Sequence, residues 1–82
     1  MNIKILGPGC ANCKEVLKRT EEALNQLGID ASVEYVTDMD SIKKYVMMTP
    51  GLVIDEVVAH QGKPLPSVEK IQGLIEKAQG NY

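Results

Sequence analysis

The only two cysteines of this 82-residue chain, Cys10 and Cys13, are separated by two residues in the stretch GPGCANCKEVLK at positions 7–18. A pair this close has four readings: a structural staple, half of a metal site, a redox couple, or coincidence. As a staple it is weak, because a disulfide closing so small a loop contributes only about 2 kcal/mol, against roughly 3 for a 15-residue loop. Two thiolates at this spacing suit Cu(I) or half of a zinc site. The redox reading has its own physical basis. Cys10 is expected at the N-cap or first turn of a helix, where unpaired backbone N–H groups and the positive end of the helix dipole favour an anion. The dipole contributes about 0.3–1 kcal/mol, and up to ~2 in partly buried geometry. With added N–H hydrogen bonds, a thiol can move from about 8.5 toward about 7, which raises the thiolate at neutral pH from a few per cent to about half. Cys13, one turn further on, falls on the same helical face but deeper in the fold, so it is expected to be less exposed and less acidic. That asymmetry sets two roles: Cys10 attacks a substrate disulfide, and Cys13 attacks the resulting mixed disulfide and releases the product.

The elements that must hold this pair alternate in type along the chain. Residues 2–6 (NIKIL) are short, β-branched and bounded by Gly7-Pro8-Gly9, as a buried strand should be. From Cys13 onward, Val16, Leu17, Thr20, Ala23, Leu24 and Leu27 form the stripe of an amphipathic helix, with Gly28 as its C-terminal stop. Residues 32–37 alternate Val33 and Tyr35 against Ser32 and Glu34, a half-buried or edge strand. A shorter helix is expected over 39–47, capped by Asp38 or Asp40, with Ile42, Tyr45 and Val46 inward, until Thr49-Pro50-Gly51 breaks it. Residues 52–54 and 57–60 then flank Asp55-Glu56 as a hairpin. Both turn positions would need positive φ, which suits Asp-Glu poorly and predicts a longer turn. Ser67 caps a last helix carrying Val68, Ile71, Leu74, Ile75 and Ala78 and ending at Gly80. The predicted order is β-α-β-α-β-β-α, an α/β domain occupying residues 1–82 as a single unit.

Composition excludes several classes. With 44% hydrophobic and 24% charged residues this is an ordinary globular composition. A net charge of −2 and a single arginine, Arg19, leave no footprint for nucleic acid. The longest apolar run is interrupted at Asp55 and Glu56, well short of the roughly 20 residues that a bilayer span needs, so no membrane insertion is expected. No signal-peptide pattern opens the chain, and a cytoplasmic location is expected, where a cysteine pair is catalytic or metal-binding more often than structural.

Other residues receive plainer readings. His60, the sole histidine, reads as an exposed strand-end residue and could complete at most a three-ligand metal set. Met47-Met48 beside Pro50 reads as gap-filling core or a soft substrate-facing wall. Tyr35 and Tyr45 read as core with a wet hydroxyl, and Lys4 as a snorkelling side chain alternating out from Ile3 and Ile5.

Taken together, NIKIL, GPGCANC with its helix, MTPGLVIDEVV and GKPLPSVEKIQGLI resemble the small thioredoxin-like and glutaredoxin-like redox-active disulfide proteins over essentially the whole chain. The resemblance implies a minimal thioredoxin-like fold, a four-stranded mixed sheet with helices on both faces. It also implies a cis proline at Pro50 facing the cysteines, and a Thr49 backbone that pairs with substrate. Ala11 and Asn12, between the sulfurs, count with Thr49 and Pro50 as substrate-contact positions. A thiol-disulfide oxidoreductase follows, acting on a protein or small-molecule disulfide and re-reduced by a donor such as a thioredoxin-reductase-like enzyme, with no cofactor and no resident metal. The chain departs from larger thioredoxins at Gly9, where they have Trp, at Ala11-Asn12, where they have Gly-Pro, and at Lys4, where they keep a buried carboxylate. Residues 62–66 lack the acid of a glutathione site. A metal-binding or metal-delivery protein is the alternative, since small heavy-metal-binding domains also open with strand, CxxC and helix. Those domains finish on a strand and carry methionine where Pro8 stands. A non-enzymatic redox sensor is a third class.

Overall fold

The computed structural model describes residues 1–9 and 11–80. Its elements are β1 (Asn2–Leu6), α1 (Ala11–Leu27), β2 (Ser32–Val36), α2 (Met39–Lys43), β3 (Gly51–Ile54), β4 (Val57–Gln61) and α3 (Val68–Gly80). The order is the one predicted. The four strands form one mixed sheet in the order β2-β1-β3-β4, with β1 parallel to β2 and antiparallel to β3.

Two cores show how the helices divide between the faces. Ile3, Ile5, Leu52 and Ile54 point to one side, where Val16, Ala23 and Leu24 of α1 and Ile71 and Ile75 of α3 cover them. Leu6 and Val53 point to the other, under Ile42 of α2 and Val46 just beyond it. The register explains this partition: Ile3 lies across from Ile54 and Ile5 from Leu52, so the alternation of the two strands coincides. β1 is central and closely buried, with Ile3, Ile5 and Leu6 at 0% exposure. β2 is the half-buried edge that its alternation implies.

Local chemistry sets the ends of the elements. Gly28, at φ 68°, takes the left-handed position that closes α1. Ser67 caps α3 as expected, its Oγ accepting the Lys70 N–H at 3.1 Å. Two expectations are corrected. The α2 helix ends at Lys43 rather than near 47, because the Lys44 N–H turns to the Ser41 carbonyl three residues back, at 3.2 Å, and the chain leaves the helix toward Pro50. The β3–β4 turn is no longer than Asp55-Glu56, with Ile54 directly paired to Val57. Both residues adopt positive φ, 48° and 69°. The Asp55 side chain holds the turn, with Oδ1 accepting the Asn2 N–H at 2.8 Å while its own N–H donates to the Asn2 carbonyl at 2.8 Å. Hydrogen bonding to the end of β1 thus takes the place of the glycine such turns favour.

Candidate functional site

The α1 helix begins at Ala11, directly after Cys10 in the chain. The expectation for Cys10 itself falls outside the described residues. Cys13 lies in the first turn and is 0% exposed. Its side chain rests on the backbone of Gly7: a Cβ at Gly7 would fall on Cys13 Sγ and 2.9 Å from Cys13 Cβ. No acidic residue occupies the first turn of α1 to oppose the positive end of the dipole. The first carboxylate along the helix, Glu15, is held by Arg19 at 2.9 Å, and Arg19 also donates to the Pro66 carbonyl at 3.0 Å. Ala11 is exposed and Asn12 half-buried, so the segment between the two cysteines faces outward while Cys13 faces the core.

Thr49 and Pro50 reach the same end of the sheet by topology. Gly51 pairs with Leu6, so Pro50 precedes and Gly7 follows two directly opposed residues. The Thr49–Pro50 peptide bond is cis, Pro50 is buried and Thr49 half-buried. A Cβ at Gly51 would come within 3.0 Å of Val46 Cγ1, so the segment descending from α2 closes tightly onto β3. Thr49 lines a groove of about 420 Å³ with Met39, Ile42, Lys43, Val46 and Met47. Met47 is 96% and Met48 55% exposed, which removes the gap-filling reading and leaves a soft apolar wall at this site.

Lys4 is more than a snorkelling side chain. Its Nζ donates to Tyr45 Oη and to both Glu56 carboxylate oxygens, each at 3.1 Å, and lies 5.1 Å from the Tyr45 ring centroid. Hydrogen bonds donated to Tyr45 and then to Glu56 raise the Lys4 pKa above the usual lysine range. The Lys4 ammonium, followed by the Tyr45 hydroxyl, holds the Glu56 carboxyl below the usual carboxylate range. This cluster was not foreseen, because three residues 41 and 11 positions apart carry no local signal of their meeting. Also unforeseen was the reason for Gly7, which the Gly7-Pro8-Gly9 run presents as a turn residue. Among the described residues no three His, Cys, Asp or Glu side chains form a metal-holding group. His60 Nε2 is directed at the carbonyls of Gly62 and Pro64, each 3.1 Å away.

A family model described as a thioredoxin domain matches residues 1–76. The chain is 41% identical over 70 residues to a protein named thioredoxin from Methanocaldococcus jannaschii, covering 85% of this chain and 80% of that protein. It is 38% identical over 76 residues to another thioredoxin, from Methanothermobacter thermautotrophicus, covering 92% and 97%. Among solved structures, thioredoxin 1 from the thermophilic eubacterium Thermosipho africanus superposes with a TM-score of 0.60 over 96% of this chain and 94% of that one, at 23% identity. That likeness supports the four-stranded architecture with helices on both faces. Among the described residues no helix is long and apolar enough to cross a membrane.

Proposed function

This chain belongs to the thioredoxin-domain family, and from that membership we propose that its thiol-disulfide oxidoreductase activity runs through Cys10 and Cys13 in turn. The Cys10 thiolate attacks one sulfur of a substrate disulfide, breaking the S–S bond, forming a Cys10–substrate mixed disulfide and expelling the other sulfur as a thiolate. Cys13 then gives up its proton and attacks Cys10 Sγ. The Cys10–Cys13 disulfide forms, the second substrate thiolate leaves, and two electrons have passed from protein to substrate. Both released thiolates take up protons. The Thr49 backbone pairs with an extended substrate, Pro50 presents a face without an N–H donor to the sulfurs, and Ala11 and Asn12 border the contact. A two-electron donor such as a thioredoxin-reductase-like enzyme restores the dithiol, in a reducing cytoplasm, with no cofactor.

The observation that carries the assignment is the environment of Cys13: fully buried, seated on Gly7 in the first turn of α1. A thiol so enclosed is shielded from external substrates and suited to an internal attack. The test is a trapping experiment. Cys13→Ser is expected to accumulate a mixed disulfide through Cys10, detectable as a mass increment, whereas Cys10→Ser is expected to form none. Equal alkylation of both thiols in the native protein at neutral pH would defeat the assignment of roles.

A further inference from the structure

His60 lies in β4 across from Leu52 and is half-buried. Its Nε2 is 3.1 Å from the Gly62 carbonyl oxygen and 3.1 Å from that of Pro64. Carbonyl oxygens only accept, so Nε2 carries the proton and the ring donates to both, in the neutral tautomer protonated there or in the cation alike. One side chain thereby folds residues 61–64 around itself.

The loop so held grips the segment on either side of Thr49. Gln61 Oε1 accepts the Met47 N–H at 3.0 Å. The Gly62 N–H donates to the Pro50 carbonyl at 3.0 Å. Met48 closes against Gly62, where a Cβ would stand 2.8 Å from Met48 Cε and 3.2 Å from its Cβ, and where φ is +78°. Gln61 and Gly62 thus fix Met47, Met48 and Pro50 through two hydrogen bonds and one close packing contact. Thr49 is held by its neighbours.

We propose that His60 is a positioning residue for substrate docking: through Gln61 and Gly62 it holds residues 47–50 in the conformation that an extended, disulfide-bearing polypeptide must meet. The proposal rests on the reading that the Thr49 backbone pairs with substrate. The His60 ring is engaged with the Gly62 and Pro64 carbonyls, so its influence falls on recognition of polypeptide backbone and not on thiol exchange itself. Orientation of a docking edge is sensitive to small displacements, and loosening it weakens binding before it weakens chemistry.

The experiment measures steady-state reduction of insulin and of bis(2-hydroxyethyl) disulfide, with dithiothreitol as donor, at a temperature where circular dichroism shows every variant folded. In His60→Ala, KM for insulin is expected to rise roughly two- to tenfold, the span that loss of a hydrogen bond gives, with kcat within about twofold. The rate with the small disulfide, which offers no peptide edge, is expected to be unchanged. His60→Gln, whose amide carries two N–H donors near the place of Nε2, is expected to restore KM. Gln61→Ala, at an exposed position that leaves the core intact, is expected to raise KM for insulin in the same direction. An unchanged insulin KM in both His60→Ala and Gln61→Ala would overturn the proposal. So would an equal slowing of both substrates, which marks general damage to the fold. Wild-type protein that reduces neither disulfide would remove the parent reading and this one with it.

Discussion

One absent methyl group decides how Cys13 sits. Gly7 and Gly9 look equivalent in the sequence, yet they serve different ends. Gly9 has φ +99° and open space around it, the demand of a turn. Gly7 is needed for room, since its missing Cβ is where Cys13 Sγ rests. Gly7→Ala must therefore push the Cys13 side chain or the start of α1 away from β1. Overpacking of a closed contact of this kind costs about 1–3 kcal/mol, to be read from urea unfolding monitored by circular dichroism. Displacing Cys13 should also slow the second exchange step, so that the Cys10 mixed disulfide persists longer in Gly7→Ala than in wild type in a quenched-flow experiment. Unchanged stability together with unchanged lifetime would show that the contact relaxes freely. The depth of Cys13 was legible because helix periodicity is local; the role of Gly7 was not, because it depends on a neighbour six residues away across a bend.

Among the elements, the Lys4–Tyr45–Glu56 cluster ties the central strand β1 to the chain just past α2 and to the β3–β4 turn. It accounts in part for a turn that sequence rules disfavour, since Glu56, at φ 69°, is held by Lys4 as Asp55 is by Asn2. Turn propensity counts only local preference, and here distant partners outweigh it. The cluster also gives stability a pH signature. A carboxyl whose pKa is lowered on folding contributes above its unfolded value and loses that contribution as pH falls through the depressed one. A lysine whose pKa is raised contributes below its unfolded value and loses it as pH rises through the elevated one. The window therefore runs from roughly pH 5 to roughly pH 10, between the unperturbed Glu and Lys values. Glu56→Gln is expected to melt below wild type inside that window, with the gap closing toward acid and toward alkali and shrinking in 1 M salt. A gap independent of pH would assign the effect to the turn backbone instead of the charges.

For the molecule as a whole, the consequence of strand order β2-β1-β3-β4 is that the two halves of the proposed site come from distant parts of the chain. The cysteine loop follows β1 and Thr49–Pro50 precedes β3, and they come to the same end of the sheet only because β1 and β3 are neighbours. Hydrophobic periodicity placed the elements in order, but it says nothing about which strands lie side by side; only the likeness of MTPGLVIDEVV to a known pattern carried that information. A site assembled this way should exist only while the whole fold does. With a radius of gyration of 11.5 Å, near the roughly 12 Å of a compact chain of this length, and cores on both faces of one sheet, there is little from which a part could unfold alone. Residues 1–82 are accordingly expected to unfold in one cooperative step. Cys13 reports on this directly, because it is 0% exposed and becomes the sole thiol in Cys10→Ser. In that variant, alkylation of Cys13 by iodoacetamide should be on the order of a thousandfold slower in buffer than in concentrated urea, the ratio set by a stability of about 4 kcal/mol or more. Across a urea series, the rise in alkylation and the loss of helical circular dichroism should share one midpoint. Alkylation at urea concentrations well below that midpoint would mean that the start of α1 opens independently, and that the cysteine loop is a separable part of the fold and not a product of its closure.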